Sequence, residues 1–273
     1  MRGLSRTLLN TAEIELWPGG LLRARSNADA RVLSRAQTVL RRKRDGRYLA
    51  AQLPDGLMPL APRLLREPGI RAALERLAGP SGPSGKGIER VRELPLGRLH
   101  ERLEALGLDG GYGERSGLPL VPEPDWLMLA GLDRYRRALW LHPQAARAWT
   151  HMREAAMGEG IVLEVISGYR SHAYQLGIFD RKRAGGLNVD DILAVNAAPG
   201  YSEHHSGRAL DVGASTGGFA DAGEVAVAFD EAGDGEHAVE VRPLGTCGMS
   251  EAAVLSITST RWSGAQSLTR TRL

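Results

Sequence analysis

The sequence contains a single cysteine, Cys247, among its 273 residues. An internal disulfide and a zinc site built from thiolates are therefore both excluded. Any metal ion that the chain binds must be held by histidine and carboxylate side chains, which are the other common protein ligands of zinc.

Long apolar runs are also missing, although 42% of the residues are hydrophobic. No stretch approaches the roughly 18 uninterrupted apolar residues of a membrane span, so we expect no transmembrane segment. The first 18 residues contain Arg2 and Arg6, but Glu13 and Glu15 then occur where a signal peptide has its apolar core. No signal peptide is therefore seen, and the sequence leaves the localisation unknown.

Positive charge is concentrated in one segment of a chain whose net charge is only +3. The basic residues of this segment are Arg31, Arg35, Arg41, Arg42, Lys43, Arg44 and Arg47. We expect them to form the solvated face of a helix. Binding to nucleic acid, an anionic lipid surface or the acidic cell wall is the functional alternative. Nucleic acid is disfavoured because no aromatic residues are interleaved with the charges.

The composition divides the chain into three zones. Residues 1–117 are predicted to form a mostly helical N-terminal region, because apolar residues recur at helical spacing between prolines. Within it, the Gly/Pro/Ser-rich segment near 79–87 has the composition of a linker. Residues 118–241 have the pattern of a compact domain. Residues 242–273 contain few large apolar residues and are predicted to be a divergent tail.

The compact domain shows alternating helix and strand patterns. Helices are predicted over 144–157 and about 172–184, and strands over 161–166 and 209–212. The alternation has no βαβ rhythm and no glycine-rich phosphate loop. We therefore predict an α+β fold, in which a small antiparallel sheet is flanked by helices.

The most informative segment is 202–211, with the sequence Ser-Glu-His-His-Ser-Gly-Arg-Ala-Leu-Asp. It places His204 and Asp211 seven positions apart. An imidazole and a carboxylate are two of the three protein ligands that a catalytic zinc needs. Residues seven apart in one strand point to opposite faces, so the two can converge only if the chain turns between them. Ser206 and Gly207 offer that turn.

A second polar motif precedes the first by about thirty residues. It consists of Ser167-Gly168-Tyr169-Arg170-Ser171, after a predicted strand, with Gln175 on the following helix. Arg170 can therefore lie at the sheet edge and face the site, where its permanent charge suits an anionic substrate. Tyr169 is interpreted as a packing aromatic. His172 is interpreted as an ordinary helix residue, and His205 as a supporting or surface group.

Together the two motifs resemble the zinc D-alanyl-D-alanine carboxypeptidases of the VanY type, which trim peptidoglycan stem peptides. The resemblance implies a Hedgehog/DD-peptidase-like fold, a Zn2+ cofactor and peptidoglycan peptides as partners, with no nucleic acid. It implies zinc ligation by His204 and Asp211, and stabilisation of the oxyanion by Arg170. The positions that line the substrate cleft in the family correspond to Ser167, Gln175 and Ser202. Such a substrate implies the periplasm or the cell envelope.

The third ligand and the general base of the family lie downstream, in a Glu-Pro-Trp-His motif or a close variant. Beyond Asp211 this chain has one histidine, His237, within Asp234-Gly235-Glu236-His237. His237 is therefore the candidate third metal ligand. Asp234 is the candidate base, with Glu236 as the alternative. A turn at Asp234-Gly235 predicts a strand that carries His237.

The sequence thus predicts a zinc-dependent metallocarboxypeptidase, a hydrolase that removes the terminal D-Ala of stem peptides by cleaving a D,D- or L,D-peptide bond. The alternative is a catalytically impaired homologue that keeps the fold and binds muropeptide or metal. A third interpretation makes the basic N-terminal region an interaction module. The fold alone does not choose among them, and the oligomeric state is not determined.

Overall fold

The fold is described from a computed structural model of the chain, which defines residues 6–79, 91–216, 224–229, 237–243 and 253–257. For residues 214–216 and the last three ranges, only the backbone is considered. None of the helices in these ranges combines the length and the apolar character that a bilayer-spanning helix requires.

Two antiparallel sheets organise these residues. The larger sheet has seven strands in the order β5-β4-β3-β2-β1-β6-β7. Its strands are β1 (Thr7–Asn10), β2 (Ile14–Pro18), β3 (Thr38–Arg42), β4 (Tyr48–Leu53), β5 (Gly56–Pro59), β6 (Trp126–Leu132) and β7 (Ala138–Leu141). The smaller sheet has five strands in the order β12-β11-β10-β9-β8. Its strands are β8 (Ile161–Ser167), β9 (Ala209–Thr216), β10 (Glu224–Phe229), β11 (His237–Pro243) and β12 (Ala253–Ile257).

The helices are short, apart from two in the second half of the chain. They are α1 (Asn27–Leu33), α2 (Ile70–Ala78), α3 (Leu99–Ala105), α4 (Tyr112–Ser116), α5 (Pro143–Gly158), α6 (His172–Ala184) and α7 (Val189–Leu193). Short 3-10 helices cover Gly19–Leu21, Leu64–Arg66 and Glu203–Ser206. Mixed helices and antiparallel sheets confirm the predicted α+β class, although the larger sheet exceeds the small one that was expected.

The N-terminal region is built mainly from strands, so the prediction of a mostly helical region is wrong. Five of the seven strands of the larger sheet lie before residue 60. Strands such as β2 and β4 are buried at successive positions rather than at alternate ones. Strands covered on both faces lack the alternation that distinguishes a strand in a sequence. The expected helical spacing does appear in α2, where Ile70 and Ala73 are buried.

The basic segment also differs from its predicted form, because only Arg31 lies in a helix and the residues from Arg41 onwards lie in strand β3 and the turn that follows. The Arg42 guanidinium pairs with the carboxylates of Asp45 and Glu67, each at 2.6 Å. The Lys43 side chain is fully buried and its Nζ lies 2.5 Å from Glu123 Oε2. A solvated helix face is therefore wrong for these two cations. Their carboxylate partners are distant in sequence, with the exception of Asp45, so the charge run alone did not reveal their burial.

The larger sheet spans the predicted boundary at residue 118. Strand β1 pairs with β6, with Leu8 opposite Leu127 and Leu9 opposite Trp126. The hydrogen-bonded ladder thus joins the N-terminal region to the first strands of the compact domain. Residues 80–90, with most of the predicted linker, lie outside the described residues. Of the predicted tail, only Arg242–Pro243 at the end of β11 and strand β12 lie within them.

Helix α5 packs against both sheets and confirms the helix predicted over 144–157. Its first residue is Pro143, and the His142 Nδ1 caps it by accepting a hydrogen bond from the Gln144 amide at 3.3 Å. Proline suits this position because the first helical N–H has no partner within the helix. The core around α5 contains Leu139, Leu141, Ala145, Ala146, Ala148, Trp149, Val165, Leu210 and Val212. This core fixes strands β7, β8 and β9 relative to one another.

The buried Lys43–Glu123 pair leads to a stability prediction. Replacing Lys43 by Met leaves the Glu123 carboxylate buried without its counter-charge, which typically costs about 3–5 kcal/mol. Urea unfolding at neutral pH measures this loss. The matched control is Arg35→Met, because Arg35 forms a solvent-exposed pair with Asp55 at 3.6 Å. Exposed pairs contribute about 0–1 kcal/mol, so an equal loss in both variants would contradict the prediction.

Candidate active site

The predicted turn between His204 and Asp211 is present at Gly207. Its φ is +71°, and a Cβ at this position would lie 2.6 Å from Leu127 Cδ2. Glycine is required here because other residues disfavour this backbone region and the neighbouring strand leaves no space. The chain reverses after the 3-10 helix Glu203–Ser206 and enters β9. As a result, His204 Nε2 lies 3.4 Å from Asp211 Oδ1.

The His204 ring is oriented by the motif that precedes α6. Its Nδ1 lies 2.9 Å from the carbonyl oxygen of Gly168. A carbonyl oxygen only accepts hydrogen bonds, so Nδ1 carries the hydrogen. In the neutral ring Nε2 then has a free lone pair, and this nitrogen faces Asp211.

The Asp211 carboxylate is held from its other side by Ser167. Strands β8 and β9 have a register shift that pairs Ser167 with Asp211. The Ser167 hydroxyl donates to Asp211 Oδ2 at 2.5 Å, which leaves Oδ1 directed at His204. Burial by itself raises the pKa of Asp211. His204, the Ser167 hydroxyl and the Arg170 charge together lower it by more, so the pKa lies below its ordinary value. The carboxylate is therefore ionised at neutral pH.

The spacing of the two free donor atoms fits zinc. In tetrahedral coordination with bonds of 2.0–2.2 Å, two ligand atoms are about 3.4 Å apart. The observed separation of Nε2 and Oδ1 is 3.4 Å, and each donor is oriented by a hydrogen bond through its other polar atom. Such outer hydrogen bonds are the usual support of metal ligands. Within the described residues, no group of three or more His, Cys, Asp or Glu side chains could hold a metal.

Arg170 lies beside this pair, as predicted from its place between a strand and a helix. Its Nη1 donates to Gln175 Oε1 at 3.1 Å and its Nη2 to Ser167 Oγ at 3.4 Å. Its backbone N–H donates to the carbonyl oxygen of His204 at 3.1 Å. Burial lowers the pKa of Arg170, which the Asp211 charge only partly offsets. The site thus contains a mostly buried guanidinium next to an imidazole and a carboxylate.

Gln175 and Ser202 were predicted to line the substrate cleft with Ser167. Gln175 is only 1% exposed, and its Nε2 donates to the Ala197 carbonyl at 2.9 Å while its Oε1 accepts from Arg170. The structure therefore places Gln175 behind Arg170, where it orients the guanidinium. Ser202 is buried at the start of the 3-10 helix Glu203–Ser206. Contact of Ser167 and Ser202 with substrate stays a prediction.

The described backbone does not bring His237 to the other two candidate ligands. Asp211 pairs with Ala226, and Ala226 pairs with Arg242 on β11. His237 lies five residues from Arg242 along that strand. At about 3.3 Å per residue and about 4.8 Å between strands, the Cα atoms of His237 and Asp211 are roughly 19 Å apart. This strand register does not support a shared metal ion, and the third-ligand role of His237 stays a prediction.

The predicted base belongs to a segment for which no geometry can be given. Asp234 and its alternative Glu236 both lie outside the described residues. Sequence spacing suggested that His237 would follow a turn and return to the metal. It did not reveal that β10 would lie between β9 and β11, because strand order is decided by tertiary pairing.

A buried carboxylate near the site, Glu123, was not recognised in the sequence. Its Oε2 accepts hydrogen bonds from Lys43 Nζ and from the Tyr169 hydroxyl, both at 2.5 Å, and its Oε1 accepts from the His172 backbone N–H at 2.8 Å. Burial raises the pKa of Glu123, but Lys43, His172 and these hydrogen bonds lower it to about 2. Tyr169 and His172 are therefore polar partners of an ion pair. The only local signal is a glutamate between two prolines just before an apolar strand.

His205 is fully buried, so its interpretation as a surface group is wrong and its supporting role is confirmed. Its Nδ1 donates to the Arg170 carbonyl at 2.6 Å, and its Nε2 accepts from the Gly200 N–H at 3.0 Å. Burial and the neighbouring His172 lower the pKa of His205 to about 3, so the ring is neutral at pH 7. Both ring nitrogens are thus used inside the protein, which leaves His204 as the candidate metal ligand.

The fold and the site together have the features of a carboxypeptidase-like domain. One segment of the chain contains the histidine–aspartate pair, the buried arginine beside it and strands β8 and β9. Residues 138–236 match the family model described as VanY, D-alanyl-D-alanine carboxypeptidase. This part of the chain is similar to the VanY-type carboxypeptidase family.

Two known proteins show the extent of the similarity. YodJ of Bacillus subtilis (strain 168), which is assigned as a carboxypeptidase, is 35% identical over 99 residues, covering 36% of this chain and 34% of YodJ. The chain therefore spans about a third of the length of that relative. A solved vancomycin-resistance D,D-pentapeptidase VanY in complex with Zn(II) is 25% identical, with a TM-score of 0.28, and covers 35% of this chain and 56% of that one. A TM-score this low supports no argument about the site.

The lowered pKa of Glu123 predicts acid sensitivity. A carboxylate with a folded pKa of about 2 and an unfolded pKa of about 4.3 stabilises the fold fully above the unfolded value. The contribution is lost as the pH falls from about 4.3 towards 2, and amounts to about 3 kcal/mol. Urea unfolding at pH 6 and at pH 2.5 measures the difference. Glu123→Gln has no carboxylate to protonate, so its stability should fall less between these two pH values than that of the wild type. The same fall in both proteins would contradict the lowered pKa of Glu123.

Proposed function

We propose that the chain is a zinc-dependent carboxypeptidase that removes the terminal D-Ala of peptidoglycan stem peptides by hydrolysing a D,D- or L,D-peptide bond. The family match supports a peptidase acting on D-alanyl-D-alanine termini. The observation that carries the zinc proposal is the 3.4 Å separation of His204 Nε2 and Asp211 Oδ1, two donor atoms that face each other. We also propose that residues 118–241 form a domain with the fold of the DD-peptidases.

Zinc would be held by His204 Nε2 and Asp211 Oδ1, and when bound it supplies a Lewis acid next to the scissile carbonyl. His204 would contribute the lone pair of Nε2, because the Gly168 carbonyl keeps the hydrogen of the neutral tautomer on Nδ1. Asp211 contributes an ionised carboxylate because Ser167 and Arg170 stabilise its charge. These donor types are the ones to which the single cysteine limits the chain.

Arg170 would bind the carbonyl oxygen of the scissile bond. This oxygen gains negative charge as the tetrahedral intermediate forms, and a fixed guanidinium stabilises that charge without reorganisation. Gln175 and Ser167 hold two of the guanidinium nitrogens, so the fork is oriented before substrate binds. A carboxylate base, for which Asp234 and Glu236 are candidates, would accept the proton of the attacking water and return it to the leaving amine.

A catalytically impaired homologue that binds muropeptide or metal is the second candidate. The observation that favours it is that the described residues bring only two metal-ligating side chains together. Catalytic zinc sites generally have three protein ligands and an open position. A peptidoglycan substrate further implies the periplasm or the cell envelope, which we propose as the place of action for either candidate.

Metal binding separates the two candidates. We expect the protein to bind one zinc ion in calorimetric titration. His204→Ala and Asp211→Ala should each weaken binding by more than the roughly 10- to 100-fold that loss of an outer-shell partner costs. His151→Ala serves as the matched control, because His151 is exposed on α5. A remnant with two ligands would instead lose its metal on dialysis.

Catalysis is tested with a pentapeptide that ends in D-Ala-D-Ala, by measuring the release of free D-Ala. We expect chelation and the His204→Ala and Asp211→Ala substitutions to abolish the release, because each removes the metal site. Release that survives both substitutions and chelation would contradict the zinc mechanism.

Arg170→Lys tests the role of the guanidinium. Lysine keeps the charge but loses the planar fork that is oriented by Gln175 and Ser167. We expect kcat for D-Ala release to fall by about 100- to 1000-fold, the usual effect of losing an oxyanion donor, while zinc affinity is retained. Arg183→Lys, on the exposed last turn of α6, is the matched control. Loss of kcat in both variants would argue against a specific role.

A further inference from the structure

The Glu123 carboxylate is a junction between the N-terminal sheet and the candidate active site. Four groups donate hydrogen bonds to it, and its residue is only 4% exposed. Two of the donors are Asn10 Nδ2 at 3.2 Å, at the end of β1, and Lys43 Nζ at 2.5 Å, in the turn directly after β3. The other two belong to Tyr169 and His172. A buried ion that is hydrogen-bonded on both oxygens fixes the geometry of its partners.

The two donors from the site lie on either side of Arg170. Tyr169 immediately precedes it and reaches Glu123 Oε2 through the hydroxyl, while His172 follows two residues later and reaches Oε1 through the backbone N–H. The segment 169–172 is therefore attached at both ends to one carboxylate. Because Arg170 lies between these attachment points, its backbone has little freedom to move.

The opposite side of the same segment is attached to the histidine motif. The Arg170 N–H donates to the His204 carbonyl at 3.1 Å, and the Arg170 carbonyl accepts from His205 Nδ1 at 2.6 Å. The His172 and His205 rings also meet edge to face, with centroids 4.4 Å apart. A displacement of 169–172 would thus move both Arg170 and the backbone of His204.

We propose that Glu123 is a positioning residue, which holds segment 169–172 so that Arg170 stays in place beside His204 and Asp211. It follows that the N-terminal sheet is part of the support of the site, through Lys43 and Asn10. None of these three supporting residues lies in the family-matched segment 138–236. The effect on catalysis rests on the proposed carboxypeptidase function, whereas the effect on the segment itself does not.

The test compares Glu123→Gln with wild type and with Glu67→Gln. Glu67 follows the 3-10 helix Leu64–Arg66 and forms a largely buried ion pair with Arg42 of β3, and its side-chain hydrogen bond does not involve segment 169–172. Hydrogen–deuterium exchange of peptides that cover 168–176 is the first measurement. We expect the amides of 169–172 to exchange at least about 10-fold faster in Glu123→Gln and at the wild-type rate in Glu67→Gln, because local opening follows local attachment.

Release of D-Ala is the second measurement. Misplacement of a catalytic group by about 1 Å can cost about 100-fold in rate, so kcat should fall by about 10- to 100-fold in Glu123→Gln. KM should stay within about twofold, and Glu67→Gln should keep both constants. A loss of stability alone would not lower kcat while leaving KM unchanged in the enzyme that remains folded.

The two measurements keep the two proposals apart. Unchanged exchange of 169–172 in folded Glu123→Gln would overturn the positioning role, whatever the activity. Wild-type protein that releases no D-Ala would overturn the carboxypeptidase function, and the exchange comparison would still decide the role of Glu123. If Glu123→Gln does not fold, Tyr169→Phe takes its place, because it removes one attachment and keeps the Lys43 ion pair. Wild-type exchange in that variant would then count against the proposal.

Discussion

The site depends on holding two electron-rich atoms close together, His204 Nε2 and Asp211 Oδ1. Unless a cation or a proton lies between them, a lone pair and a carboxylate oxygen at 3.4 Å repel each other. The surrounding structure opposes this repulsion by attaching the outer atom of each side chain, through the Gly168 carbonyl and the Ser167 hydroxyl. The proposed divalent metal ion would relieve this repulsion, and the hydrogen bonds to Gly168 and Ser167 would then orient its two ligands.

The support is organised in two directions. From within the family-matched segment, Gln175 orients the Arg170 guanidinium, and the neutral, buried His205 holds the Arg170 backbone. From the N-terminal sheet, the buried Lys43–Glu123 pair reaches the same loop. A buried ion pair adds little net stability when it is compared with apolar residues, but removing one partner is costly. Such a pair therefore specifies one arrangement of the segments that it joins.

The candidate site was predictable to a large degree where its residues form a local pattern. The turn at Gly207 and the sequence positions of His204, Asp211 and Arg170 follow from motifs of a few residues, and the structure brings these three side chains together. Glu123 could not be found in this way, because its partners lie 46 to 113 residues away in sequence. The place of His237 on β11 was not predictable for a related reason, since short spacing to Asp211 says nothing about the number of strands between them.

The sequence by itself determined the chemistry of the chain: one cysteine limits a metal site to histidine and carboxylate, and helix α5 follows from Pro143 and its apolar face. It also determined the reversal at Gly207, because a positive φ is a local steric property. Only the tertiary structure decided that the N-terminal region is a sheet and that Lys43 is buried. Strand pairing and charge burial depend on distant partners, and local propensity contains no information about those partners.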